Sequence, residues 1–210
     1  MESTIARSIT VPFSPNPTPL PFDKLARIAQ NATPASRIKT LEKSLSVCSI
    51  TEYTKAFPRH GDILEFQDHG FTYLFDLQDG KADSRVIAVY GLSKPPAGKR
   101  DTSRQKGFVA TDKDDPNRIF GKGLYDRGHF MAHSIGGGMD VNFFPQNPPL
   151  NRGSSDAGKE YTRMERYVAA NPNTFVFARP IYTDPTWIPE YLEYAVLQSG
   201  GNFWAALFRN

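Results

Sequence analysis

The chain has 210 residues, enough for one domain or for one domain with an extension. Its 25 basic and 22 acidic residues give a formal net charge of +3, which is too small to indicate a nucleic-acid partner without local clustering. The single cysteine, Cys48, excludes an intrachain disulfide, and no apolar stretch is long enough to span a membrane. Because the N-terminus lacks a secretory signal pattern, we expect a protein that is cytoplasmic in the producing cell or exported by a signal-independent route.

The first 55 residues are predicted to form a proline-rich arm and a helical extension, separate from a domain over residues 56–210. Prolines at alternate positions up to Pro21 favour an extended, loosely packed arm. The spacing of apolar residues predicts a helix over Phe22–Asn31 and a second helix that begins after an N-cap at Thr33 and ends near Val47. We expect these helices to cover a later sheet.

The rest of the chain alternates between strand patterns and one further helix. Ser154-Ser155 is typical of a helix start, and the helical apolar spacing of Tyr161, Met164 and Val168 continues to about Ala170. Strands are predicted at 63–66, Phe71–Leu77, Arg85–Leu92, 174–181, Tyr191–Leu197 and 202–208. Sequential strands with short turns indicate an α+β fold with an antiparallel sheet.

A basic loop precedes the most informative part of the chain. Residues 94–106 contain five basic residues and one acid, Asp101. A charge run of this kind is usually a solvated surface, but its position favours a contact with a phosphate backbone. Arg104 is the first candidate for that contact and Arg100 is the second.

Residues 125–153 concentrate the residue types that phosphodiester hydrolysis requires. The reaction needs a base that activates water, a cation that stabilises developing negative charge, and positive donors that position the substrate. Histidine is the natural base near neutral pH, and an amide oxygen suits Mg²⁺, which keeps most of its water ligands. His129 and Asn151 are therefore the two candidates around which we build a site.

Three motifs in this segment resemble those of the DNA/RNA non-specific endonuclease family. They are Asp126-Arg127-Gly128-His129, Asn142-Phe-Phe-Pro-Gln146 and Leu150-Asn151-Arg-Gly153. The resemblance is strongest over residues 125–168 and does not extend to the first 55 or so residues. It implies a ββα-metal finger within the α+β fold. It also implies a Mg²⁺-dependent endonuclease, with Mn²⁺ as a substitute, that cleaves DNA with little sequence preference; RNA is left open as a second substrate.

The same resemblance implies roles for individual residues. His129 would be the general base and Asn151 the direct Mg²⁺ ligand. Asp126 and Arg127 would fix the turn at the base and help to hold the substrate phosphate. Asn142 would lie close to the base, as a further residue of the catalytic group.

A carboxylate near the metal is also expected, and the helix that follows the motifs offers two. Helical periodicity places Glu160 and Glu165 on opposite flanks of the buried face, so it does not choose between them. The resemblance favours Glu165 and implies that Gln146 braces the metal-bearing segment. A run of glycines at 136–138 predicts a flexible connection between the motifs.

Two other functions stay open. His133 follows His129 by four positions, as in zinc sites on helices, but no third ligand is evident and Gly128 disfavours a helix there. A zinc-dependent hydrolase and a binding module without turnover are therefore the alternatives. A small nuclease without a signal peptide also suggests an antibacterial toxin that is inhibited by an immunity protein.

Overall fold

The computed structural model describes residues 17–33, 35–80, 83–96, 98–99 and 124–210. Its helices are α1 (Phe22–Asn31), α2 (Arg37–Ala56), α3 (Pro148–Asn151) and α4 (Asp156–Ala170), with a 3-10 turn at His133–Ile135. Its strands are β1 (Asp62–Asp68), β2 (Phe71–Leu77), β3 (Arg85–Leu92), β4 (Asp126–His129), β5 (Phe143–Gln146), β6 (Phe175–Ile181), β7 (Tyr191–Leu197) and β8 (Phe203–Arg209). The predicted α+β fold is confirmed. No helix in the described ranges has the length and apolar character needed to cross a membrane.

Six strands form one antiparallel sheet in the order β1-β2-β3-β6-β7-β8. It consists of two three-stranded meanders joined where β3 pairs with β6. Between these two strands the chain leaves the sheet, forms the separate β4–β5 hairpin and the helices α3 and α4, and then returns. The segment that carries the predicted site is therefore an insertion between the two halves of the sheet.

The sheet is covered on both faces, as neighbouring residues of β2 demonstrate. Tyr73 belongs to a buried cluster with Met164 of α4, whereas Leu74 belongs to a second cluster with Leu41 of α2. Successive side chains of a strand point to opposite faces, so a strand buried on both sides reads as a continuous apolar run. The predicted covering helices are confirmed on one face, and the site-bearing insertion lies on the other.

The second helix differs from its prediction at both ends. It begins after Ser36 rather than after Thr33, and it ends at Ala56 rather than near Val47. Its buried residues follow one another at intervals of four: Leu41, Leu45, Ser49 and Tyr53. The last two members are polar or amphipathic. A prediction from apolar spacing alone therefore ended the helix too early.

The end of the N-terminal arm is anchored on the sheet, contrary to the expected loose packing. Leu20 is 5% exposed, and its backbone N–H donates to Glu193 at 2.8 Å. Arg179 pairs with Glu193 at 2.7 Å and also donates to the Thr18 carbonyl at 2.9 Å. A buried ion pair thus fixes the arm from both sides. Residues 1–16 lie outside the described residues, and the division of the chain at residues 55 and 56 stays a prediction.

Candidate active site

The hairpin of β4 and β5 carries the histidine of the predicted site. His129 ends β4, lies opposite Phe143 in the antiparallel register, and stacks on its ring with centroids 5.9 Å apart. Its side chain is half-buried. Gly128 is required at the neighbouring position, because a Cβ there would lie 2.2 Å from the side-chain oxygen of Gln146. The motif therefore brings the β5 glutamine directly against the strand of the histidine.

Asn142 closes the loop between the two strands. Its side-chain oxygen accepts from Met131 N at 2.9 Å, and its amide nitrogen donates to the carbonyls of Met131 and Gly138 at 2.7 and 2.9 Å. The residue has no exposed surface. Its polar atoms are thus bound to the backbone, and the contacts that the structure gives it hold the loop that follows His129.

The glycine run in this loop is packed tightly, which corrects the prediction of a flexible connection. Gly137 and Gly138 are both buried. A Cβ at Gly137 would lie 1.9 Å from the Met131 carbonyl oxygen, and one at Gly138 would lie 2.5 Å from Asp68 Oδ2. Glycine is needed here for close approach of neighbouring atoms rather than for mobility.

Asn151 is the last residue of the four-residue helix α3, which starts at Asn147-Pro148. Asn147 caps the helix by accepting from Leu150 N at 3.2 Å, and Pro148 stands at its first turn, where no backbone N–H is needed. This local geometry presents Asn151 to β4, where its amide nitrogen donates to Asp126 Oδ2 at 3.0 Å.

Asp126 connects the two halves of the predicted site and is itself held by Arg152. The Arg152 guanidinium binds both carboxylate oxygens of Asp126, at 2.8 and 2.6 Å. Burial would raise the pKa of Asp126, but the hydrogen bonds from Arg152 and Asn151 outweigh it and hold that pKa below its usual value. The aspartate is therefore ionised at neutral pH and can only accept hydrogen bonds.

This ionised carboxylate determines which way the Asn151 amide faces. Only the amide nitrogen can donate to Asp126, so the side-chain oxygen points away from it. Among the described residues no hydrogen bond reaches that oxygen. An amide oxygen fixed in this way fits a hard cation such as Mg²⁺, which takes one or two protein ligands and otherwise water or phosphate oxygens.

A zinc site is less well supported by the same part of the chain. No group of three or more histidine, cysteine, aspartate or glutamate side chains in the described ranges could hold a metal ion. His133 lies in the 3-10 turn that follows the hairpin strand, not on a regular α-helix with His129. The four-residue spacing therefore lacks the helix that would turn both rings towards one ion.

Helix α4 brings a tyrosine and a glutamate to the hairpin. The Tyr161 hydroxyl donates to the His129 backbone carbonyl at 3.3 Å. Burial raises the pKa of Glu165 to about 7, although the Tyr161 hydroxyl beside it acts in the opposite direction. Gln146 also lies beside that hydroxyl, yet neither of its buried amide atoms makes a hydrogen bond of normal geometry to a described residue.

The two glutamates that periodicity left open have different surroundings. Glu160 accepts from the Trp204 indole at 3.0 Å and pairs with Arg163 at 2.6 Å, so it is bound to the last strand and to its own helix. Glu165 instead contacts Tyr161, which reaches the hairpin. Of the two acids, Glu165 has the contact with the site.

The remaining predicted residues divide into described and undescribed ones. Arg127 is half-buried in β4 and lies opposite Pro145. Arg100 and Arg104, the candidates for a phosphate contact, lie outside the described residues. Two residues of the cluster were not assigned to the site from the sequence, namely Arg152 and the Tyr161 hydroxyl. The position of Arg152 directly after Asn151 is the only sequence signal that pointed to it, and Tyr161 was assigned to the core alone.

Comparisons with known proteins add weak likenesses. The sequence matches no protein-family model and no curated protein. A solved structure of Sda1 nuclease with a bound zinc ion has a TM-score of 0.40 and 16% identity over 73% of this chain and 85% of that one. An extracellular endonuclease has a TM-score of 0.30 and 17% identity over 72% of this chain and 70% of that one. At these values neither likeness assigns a function.

Proposed function

We propose that the protein is a metal-dependent endonuclease that hydrolyses phosphodiester bonds of DNA with little sequence preference, with RNA left open as a second substrate. The proposal is carried by one observation: the strand that ends at His129 also holds, through Asp126, the amide of Asn151 at 3.0 Å. A candidate base and a candidate metal ligand therefore belong to one rigid unit of hairpin and helix.

Each residue has a separate task in the proposed reaction. His129 takes a proton from the attacking water, a role that suits an imidazole near neutral pH. Asn151 binds Mg²⁺ through its side-chain oxygen, and Asp126 keeps that oxygen correctly oriented. The cation, when bound, stabilises negative charge on the phosphate and on the leaving oxygen. Glu165 would lie near the water ligands of the cation, and Arg127 contributes positive charge for the phosphate.

The test is cleavage of supercoiled plasmid by the purified protein with Mg²⁺, Mn²⁺ or Zn²⁺, each with and without chelator. We expect nicking and then linear and short products with Mg²⁺ or Mn²⁺, and none with excess chelator. Intact plasmid under all metal conditions would contradict the proposal. Single-stranded RNA in a parallel assay decides whether RNA is also a substrate.

His133→Ala is the matched control that separates this proposal from a zinc-dependent hydrolase. A zinc site would need both histidines, so it predicts loss of activity in this variant, whereas metal-stripped wild type would regain activity with zinc alone. The proposed Mg²⁺ site does not use His133, and we expect the variant to cut at close to the wild-type rate. The toxin context and the inhibitor protein stay predictions from the sequence.

A further inference from the structure

The ring of Tyr161 packs against two other aromatic rings in the core. It is 2% exposed, and its ring meets Tyr194 and Phe208 edge-on with centroids 5.2 and 5.4 Å apart. The two neighbouring residues on its side of the helix, Met164 and Val168, are fully buried in the same cluster. The position of its hydroxyl is consequently fixed by packing, since aromatic rings in a dense core have little freedom to move.

That hydroxyl meets two residues of the proposed site. It donates to the His129 carbonyl at 3.3 Å, and the Glu165 carboxyl lies beside it. The His129 contact lies 32 positions away in sequence and joins helix α4 to the end of β4. A tyrosine hydroxyl has one proton, and here the bond to the His129 carbonyl uses it.

The helix that carries Tyr161 is also locked to the helix that carries Asn151. Gly158 lies one turn before Tyr161, and a Cβ there would come within 2.3 Å of the Pro149 carbonyl oxygen. At this point α3 and α4 are therefore too close together for any side chain at residue 158. Through this contact and the tyrosine hydroxyl, α4 is tied to both halves of the proposed site.

Resting on the proposed function, we infer that Tyr161 is a positioning residue that sets the His129 backbone and the Glu165 carboxyl relative to each other. It touches neither substrate nor metal in this role. The role depends on the hydroxyl group, because the ring alone would fill the core equally well. Misplacement of a catalytic group by an ångström or less is enough to lower a rate strongly.

Tyr194 offers a matched control for the experiment. It is fully buried, it belongs to the same cluster, and its ring contacts that of Tyr161. Its hydroxyl, however, makes no hydrogen bond to any residue that the structure describes. Tyr161→Phe and Tyr194→Phe therefore each remove one buried hydroxyl from the same core, and only the first removes a hydrogen bond to His129.

The experiment compares wild type and both variants in steady-state cleavage of a defined DNA duplex with Mg²⁺, together with thermal unfolding. For Tyr161→Phe we expect kcat to fall roughly ten- to a hundredfold, with an unfolding temperature close to that of wild type. The KM for DNA should stay close to that of wild type, because Tyr161 positions the site and does not touch the substrate. Tyr194→Phe should match wild type in both kcat and KM.

The outcomes separate this inference from the function on which it rests. If wild type and Tyr194→Phe cut and Tyr161→Phe cuts with the same kcat, the inference is wrong and the proposed function stands. If Tyr161→Phe fails to fold while Tyr194→Phe folds, the hydroxyl stabilises the core and the inference is also wrong. If wild type does not cut DNA or RNA with any metal, the proposed function fails and the role of Tyr161 with it.

Discussion

Two clusters of buried polar side chains lie on opposite faces of the sheet. They differ in how many of their polar atoms have hydrogen-bond partners. We call the first the Arg85 network: the guanidinium donates to the Tyr53 hydroxyl at 2.8 Å, and that hydroxyl donates to Asp76. Arg85 also donates to the carbonyls of Asp184 and Thr186 and lies over the Phe57 ring at 3.9 Å. Its hydrogen bonds and ring contacts join α2 to β2 and β3 and to the segment after β6.

The hairpin site is less completely satisfied. Both amide atoms of Gln146 are buried and make no hydrogen bond within the described ranges, and burial raises the pKa of Glu165 to about 7. Buried polar groups in proteins are almost always paired, so incomplete pairing marks positions that are selected for something other than stability. We therefore expect that the Arg85 network stabilises the fold, and that the hairpin site, if it is the proposed active site, contributes less to stability.

The strongest test of the comparison is removal of a charge from the Arg85 network. Asp76 is fully buried and accepts from the Tyr53 hydroxyl, from Gly61 N at 2.7 Å and from Gln78. Asp76→Ala should lower the free energy of unfolding by roughly 3–5 kcal/mol, because buried donors and the Arg85 charge lose their acceptor. Denaturant unfolding with Asp62→Ala, an exposed aspartate, as the control measures this. A loss for Asp76→Ala as small as that of the control would show that the network does not support the fold.

At Glu165, in contrast to Asp76, a substitution is expected to raise the free energy of unfolding. Its pKa lies near 4.5 in the unfolded chain and about 7 in the folded one. Between these values the folded protein keeps a proton that the unfolded chain has released, so stability falls as the pH rises from about 4.5 to about 7. Glu165→Gln removes this loss. At pH 8, in the presence of chelator, we expect the free energy of unfolding of the variant to be about 1–3 kcal/mol higher than that of wild type.

The same variant should have almost no effect on stability at pH 4, where the carboxyl is protonated in both states. Its cleavage rate with Mg²⁺ should nevertheless fall well below that of wild type. Unfolding curves at the two pH values and one rate measurement are sufficient. Equal stability of the variant and wild type at pH 8 would contradict a carboxyl whose ionisation is opposed by burial.

A smaller effect is predicted for the residue that orients the metal ligand. Asp126→Ala leaves the Asn151 amide without its acceptor, so the Mg²⁺ concentration for half-maximal cleavage should rise about ten- to a hundredfold. Arg152→Ala is the control, because it removes the ion pair and keeps the bond between Asp126 and Asn151. The same Mg²⁺ requirement in wild type and in both variants would mean that Asp126 does not act through Asn151.

Much of the sheet could be predicted from the sequence, because apolar runs and turn residues specify strands locally. The strands Phe71–Leu77, Arg85–Leu92 and Tyr191–Leu197 were predicted with the bounds that the structure gives them. The resemblance implied a ββα finger, but the bounds of its strands β4 and β5 were not predicted, since four residues with one glycine or one proline show no strand periodicity. They form because Asn142 and the packed glycines hold the loop between them.

The site was predictable only as residue types along the chain. Sequence motifs indicated His129, Asn151 and Asp126, but the contact between the last two was not predicted and is shown by the structure alone. The contacts that distinguish Glu165 from Glu160 depend on Tyr161 and Trp204, which lie far from the motifs and meet them only after folding. The Arg85 network was missed for the same reason, because its members come from distant helices and strands.

The most direct test of the proposed function is the initial rate of plasmid nicking by wild type, His129→Ala and Asn151→Ala over one Mg²⁺ titration. His129→Ala should be slower by about 10²–10⁴-fold at every Mg²⁺ concentration, because the base is lost and the metal ligand is retained. Asn151→Ala should be slow at low Mg²⁺ and should need far more of the ion. A folded His129→Ala variant that cuts at the wild-type rate would contradict the proposal.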